Sequence, residues 1–309
     1  MGVSRLRLVA VIFLGILGIA AAQPKVNLTS RARPVAATHL PPSNFRVDAR
    51  LVQIPVTVTD PMDHNVMSLN ADNFRLFEGN VEQKISAFSI ADAPVSAGIV
   101  FDTSGSMKKR MQESRGAVQQ FLQTAVPNDE FFLVQFADTA SLLSPFTRQP
   151  DSILHDLEGM DAHGWTALYD AMFLSVQQLR RATNPRRVLL VLSDGEDNNS
   201  RYSESEALSL VREADVRVYA IGLFTKARCL ERMAEETGGR MITIHNFSEL
   251  PAAMEKLSDE IRNQYMLGYF PSNDANDGRY RKVRVEVKTP AGTPPLRLAW
   301  RRGYVTPTE

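Results

Sequence analysis

The chain has a single cysteine, Cys229, so no internal disulfide can form. It falls in a helix-like segment, Arg228 to Thr237, and reads as a small buried side chain rather than a reactive thiol. An excess of charge of one sign is also missing. Lys plus Arg and Asp plus Glu each total 35, which leaves no basic footprint for nucleic acid and no acidic tail. Phosphate-loop, Gly-x-Gly-x-x-Gly, His-Glu-x-x-His and Gly-x-Ser-x-Gly signatures are absent, which removes the usual sequence grounds for a nucleotide enzyme, a zinc protease or a serine hydrolase. There is no internal repeat and no low-complexity tract.

Long apolar runs are scarce too. One opens the chain, where Arg5 and Arg7 precede Leu8 to Ile19, followed by Ala20-Ala21-Ala22 and Gln23. It is shorter than the roughly 18 residues of a membrane span, and its basic start and small-residue end read as a secretory signal, residues 1–22, cut before Gln23. The mature chain is then expected to hold no membrane span. No cysteine follows the run, which excludes a lipid-modified amino terminus. Export without disulfides fits a bacterial periplasm or exterior better than a cysteine-rich secretory module.

What is present is enough apolar material, 44% of 309 residues, for a core and two domains. Residues 23–44 contain Pro24, Pro34, Pro41 and Pro42 without hydrophobic periodicity and read as a flexible linker. In 45–92, Val52, Ile54, Val56 and Val58 alternate as one face of a strand, and Pro55 predicts an edge position or a bulge. Phe74 to Phe77 and Val81 to Ile90 flank a Glu78-Gly79-Asn80 turn and predict a hairpin. Strand and helix patterns alternate through 93–263. Runs such as Val188 to Ser193 are apolar on both faces, the mark of a mostly parallel, doubly wound α/β sheet. After 264 the alternation of Val283, Val285 and Val287 is again that of a β-strand. Residues 45–92 and 264–306 are each too small to stand alone, so they are expected to form one discontinuous β-sandwich into which the α/β domain is inserted.

The stretch Ile99 to Lys108 reads IVFDTSGSMK: an apolar strand delivers Asp102 to its carboxyl end, and a tight turn around Gly105 presents Ser104 and Ser106. A carboxylate and hydroxyls are hard donors suited to Mg²⁺, Mn²⁺ or Ca²⁺. Asp194 follows another buried strand, and Thr166 precedes a helix, where its hydroxyl is either a cap or a ligand. In an open parallel sheet such strand ends are where ligands bind. Two carboxylates would leave a divalent ion short of ligands and electrophilic, able to take an acidic side chain from a partner. Trp165, Glu196, Asp197 and His163 fall on the surrounding rim.

Asp102, Ser104, Ser106, Thr166 and Asp194 together give Asp-x-Ser-x-Ser, then Thr, then Asp. In this pattern the chain resembles the von Willebrand factor type A domain with its metal-ion-dependent adhesion site, over about Val95 to Asn263. The flanking segments, ending in RRGYVTP, are similar to bacterial exported proteins that carry this domain within a β-sandwich. The resemblance implies that the serines and the threonine touch the ion, that the aspartates act largely through water, and that the function is non-catalytic adhesion to a protein bearing an exposed Asp or Glu. One divalent cation, Mg²⁺ before Mn²⁺ or Ca²⁺, is the implied cofactor. The competing reading is a Mg²⁺-dependent phosphoryl-transfer or hydrolytic enzyme using Asp102. Ser104 stands where such enzymes generally carry a second carboxylate, which counts against it.

Overall fold

The computed structural model describes residues 51–90, 93–224, 227–273, 275–289 and 294–308. The expected signal (1–22) and linker (23–44) lie outside the described residues. In chain order, β1 (Val52–Thr59), β2 (Phe74–Glu78), β3 (Val81–Gln83) and β4 (Ile85–Ile90) come first. Then follow β5 (Val95–Asp102), α1 (Met111–Gln123), β6 (Glu130–Phe136), β7 (Ala140–Thr147), α2 (Pro150–Glu158) and α3 (Leu168–Leu179). β8 (Arg186–Ser193), α4 (Glu204–Glu213), β9 (Arg217–Leu223), α5 (Arg228–Thr237), β10 (Met241–Ile244) and α6 (Leu250–Arg262) complete the alternating region. The chain closes with β11 (Tyr265–Tyr269), β12 (Tyr280–Val287), β13 (Arg297–Trp300) and β14 (Gly303–Val305).

The central sheet has the order β10-β9-β8-β5-β6-β7, with every pair parallel except β6 and β7. Strand alternation divides its buried side chains between two layers. Ile99, Phe101, Leu190 and Leu192 pack with Val118, Phe121, Met254 and Leu257 of α1 and α6. Val100, Leu189 and Val191 pack with Met172, Val176, Leu208 and Met233 of α3, α4 and α5. Gly98 of β5 is crowded by the second of these layers: a Cβ there would stand 2.2 Å from Phe132 Cζ and 2.7 Å from Leu189 Cδ2. Its lack of a side chain makes room for the aromatic ring. β6 lies on one side of β5 and β8 on the other, so the chain reverses its direction of winding between β5 and β8. Such a reversal opens a crevice beyond the strands' carboxyl ends.

Two antiparallel sheets, β13-β1-β11-β4 and β14-β12-β2-β3, form the sandwich. Each combines strands from before β5 with strands from after α6, so the α/β sheet is inserted into a discontinuous β-sandwich. Ile54, Val56, Val58, Leu76, Tyr265, Leu267, Val283 and Val285 form its core. Tyr269 and Tyr304 both donate to Glu78 Oε2 at 2.8 Å, which satisfies the buried carboxylate.

Several local expectations change. β1 is not an edge strand, since it pairs with β11 and β13. β13 covers only Val56–Thr59, however, so Pro55 lies where that flank of β1 is open, and its carbonyl accepts from Arg217 instead. The run Val81 to Ile90 divides at Lys84, sending β3 to one sheet and β4 to the other. The antiparallel strand β7, with Pro145 on the sheet's margin, and the short β14 had no clear periodic signal. α1 begins at Met111, after a 3-10 turn over Gly105–Lys109.

Candidate metal centre

β5 is buried along its whole length and ends at Asp102, which is fully enclosed. Asp102 Oδ1 accepts from the Ser104 amide at 2.8 Å and Oδ2 from Ser193 Oγ at 2.6 Å. Burial pushes its carboxyl pKa up, against the hydrogen bonds from Ser193 and Ser104. Ser104 begins the 3-10 turn without capping it. Its Oγ lies 3.1 Å from Ser106 Oγ, and Ser106 Oγ donates to Asp194 Oδ1 at 2.7 Å. Asp194, just past β8, has an entirely buried side chain whose other oxygen accepts from the Arg110 guanidinium. Arg110 in turn lies 4.7 Å from the centre of the Phe224 ring. Asp102, Ser104, Ser106 and Asp194 therefore form one contiguous polar group at the crevice.

Thr166 joins from the segment between α2 and α3. That segment is tied to the turn after β5, with His163 N donating to Thr103 O at 2.8 Å and Gly105 N donating to Gly164 O at 3.0 Å. Thr166 N donates to Asn198 Oδ1 at 2.8 Å, and its carbonyl accepts from Asn198 N and Asn199 N. The Thr166 hydroxyl is near Gly195, 3.8 Å from where a Cβ on that glycine would stand. It does not cap α3, which starts at Leu168 and takes its acceptors from the loop after β8. Asp197 Oδ2 accepts from Tyr169 N at 3.1 Å, and Ser200 Oγ accepts from Asp170 N at 3.0 Å.

The rim residues divide. Trp165 is 64% exposed, and its backbone N is held by Asp138 Oδ1 at 2.8 Å. Glu196 and His163 are exposed, whereas Asp197 turns inward to serve the first turn of α3. Gly164 takes φ +70° with Asp138 packed against it, where a Cβ would collide at 2.2 Å. Ser193, Arg110 and Asp138 are additions to the sequence reading. Ser193 could have been noted as a hydroxyl ending a strand beside Asp194, whereas Arg110 and Asp138 carry no motif.

The donor set fits a hard divalent cation. Arg110 matches the charge of Asp194, but Asp102 is held only by neutral donors, and a buried carboxylate without a cation is costly. Among the described residues there is no group of three or more His, Cys, Asp or Glu side chains suited to a metal. Any ion here would therefore depend on hydroxyl oxygens, as Mg²⁺ and Ca²⁺ accept.

The family model for the von Willebrand factor type A domain matches residues 98–196, from within β5 to just past Asp194. Inter-alpha-trypsin inhibitor heavy chain H4 of Bos taurus is 24% identical over 241 residues, covering 71% of this chain and 26% of that protein. The chain thus spans about a quarter of that relative's length. A UPF0353 protein of Mycolicibacterium paratuberculosis is 25% identical over 197 residues, covering 53% of this chain and 60% of its own. Among solved structures, proximal thread matrix protein 1 from the mussel byssus, with a zinc-occupied MIDAS motif, aligns with a TM-score of 0.48 at 20% identity. That alignment covers 65% of this chain and 50% of the other.

Proposed function

We propose that Asp102, Ser104, Ser106, Thr166 and Asp194 hold one divalent cation, Mg²⁺ in the first instance, and that the protein binds a partner protein through it. The observation that carries this reading is the Asp102 carboxylate, fully buried with no positive partner among the described residues and linked through Ser104 and Ser106 to Asp194. When bound, the ion supplies an electrophilic position that an Asp or Glu of the partner completes. The chain's own residues do the rest. Ser193 and the Ser104 amide fix the Asp102 carboxylate, the Asn198 contacts fix Thr166, and exposed Trp165 and Glu196 meet the partner.

A non-catalytic role is supported by the same contacts, because both Asp102 oxygens are engaged and the carboxylate has no exposed face from which to attack a phosphoryl group. The signal-like start supports an exported, periplasmic or extracellular protein of bacterial type. Residues 93–263 then act as the binding domain, and 45–92 with 264–306 as the sandwich that carries it. Titration calorimetry with Mg²⁺ or Mn²⁺ is expected to show one site. Asp102→Ala should abolish it while the circular dichroism spectrum is retained, and unchanged binding in that variant overturns the assignment.

A further inference from the structure

At the opposite, amino-terminal end of the central strands, where β8 and β9 begin, a recess of about 60 Å³ opens against the sandwich. That is room for a few waters or one small ion. Arg186, Arg187, Arg217 and Arg301 line it, with Asp215 as the single carboxylate. Asp215 is already taken by Arg301 at 2.6 Å and is mostly exposed.

Among the described residues, the other three arginines form no ion pair with an acid lining the recess. Arg217 is only 6% exposed. Its guanidinium donates to the Pro55 carbonyl and lies 3.4 Å from the Tyr219 hydroxyl, and its Nε has no partner among the described residues. Arg187 Nε is likewise buried and unpartnered among the described residues. Arg186 spends its donors on the carbonyls of Ala93 and Ile261. Tyr219 gives Arg217 only a long, neutral contact, and its oxygen also accepts from Gln264 at 3.0 Å. Burial, with the neighbouring charge of Arg217, pushes the Arg186 pKa down to about 10. Cations packed this way normally have an anion among them, because burying unpaired charge is expensive.

We propose that this recess binds a small tetrahedral oxyanion, phosphate or sulfate, gripped by the guanidinium groups of Arg187 and Arg217. A planar guanidinium presents paired N–H groups that match two oxygens of such an ion at once. The recess joins the start of β8 and β9 to Pro55 of β1 and Gln264 before β11. An anion held there ties the α/β sheet to the sandwich.

The test is thermal unfolding of the full chain at constant ionic strength, comparing phosphate or sulfate with chloride, with chelator present so that phosphate cannot act through a metal ion. A saturating oxyanion should raise Tm by about 5 °C over chloride, and calorimetry with inorganic phosphate should show one site. Arg187→Gln, a neutral change at a side chain that spends no Nε hydrogen bond, should lose most of the rise, and Arg217→Gln should lose it as well. Equal Tm in chloride and phosphate, or a rise undiminished in Arg187→Gln, overturns the proposal even if Arg217→Gln does not fold.

Discussion

Arg110 offers the sharpest test of how the candidate metal centre is balanced, because it supplies the positive charge facing Asp194 in the ion-free protein. The pair is well placed for strength: the Asp194 side chain is 0% exposed and that of Arg110 27%. A hydrogen bond between charged groups contributes about 1.5–3 kcal/mol, and a partly exposed cation over an aromatic ring, here Phe224, about 0.5–1 kcal/mol. Arg110→Gln in chelator should therefore cost about 2–4 kcal/mol, a Tm loss of about 5–10 °C for a domain of this size. In excess Mg²⁺ the ion provides the charge that the guanidinium gave, and the gap should close to about 1 kcal/mol. Linkage demands the converse. With no guanidinium to displace, the variant should bind Mg²⁺ about 5- to 150-fold more tightly, from the roughly 1–3 kcal/mol by which the gap closes at about 1.4 kcal/mol per factor of ten. Paired melts with and without Mg²⁺, together with calorimetry, measure both sides. A Tm gap unchanged by Mg²⁺, with equal affinities, would refute the idea that Arg110 and the ion share Asp194.

Two further outcomes concern the scaffold. Burial pushes the Asp63 carboxyl up, but hydrogen bonds and charges from Lys256 and Arg240 outweigh it and hold its pKa at about 2. A carboxyl depressed in the fold stabilises above its unfolded pKa and loses that contribution as pH falls through the folded value. Asp63→Asn tolerates the residue's φ of 64° and should cost about 1 kcal/mol at pH 7, allowing for solvent screening. The difference from the parent in urea melts should vanish between about pH 4 and pH 2; persistence at pH 2 argues against a charge effect. Gly98→Ala forces a methyl into the Phe132 ring and should cost about 3 kcal/mol by overpacking, read from the urea midpoint. A loss under 1 kcal/mol would mean that β5 and β6 shift easily.

The parallel sheet was legible because β5 and β8 are buried on both faces and their sequences are apolar without alternation. The discontinuous sandwich followed from segments too small to fold separately. β7 escaped notice because Pro145 and the polar Ser141 and Ser144 break its pattern, and its place on the sheet's margin tolerates both. The Val81 to Ile90 run hid a change of sheet because no turn residue marks Lys84, where the backbone leaves one partner for another. At the centre, strand-end aspartates and hydroxyl spacing carried Asp102, Ser104, Ser106 and Asp194. The inward turn of Asp197 could not be read, because SDGED gives each acid the same local chemistry and only folded contacts, from the Tyr169 amide and from Ser200, distinguish them.

The balanced composition, 35 basic against 35 acidic residues, concealed two opposite local excesses. Arg186 and Arg187 open β8, and Asp194 directly follows its last residue, so one strand carries both charge types at its two ends. Its 8 residues, at a rise of ~3.3 Å each, put about 25 Å between them. That is well beyond the roughly 8–10 Å over which charges interact strongly in ordinary salt. Arg110 can reach Asp194, but nothing from the arginine recess can reach Asp102 through a layer filled by Leu189, Val191 and Val100. On the two proposals above, each end takes its own ion from solution, a cation above the sheet and an oxyanion below it. Removing either ion should leave affinity for the other unchanged unless the two ends are coupled through the strands themselves.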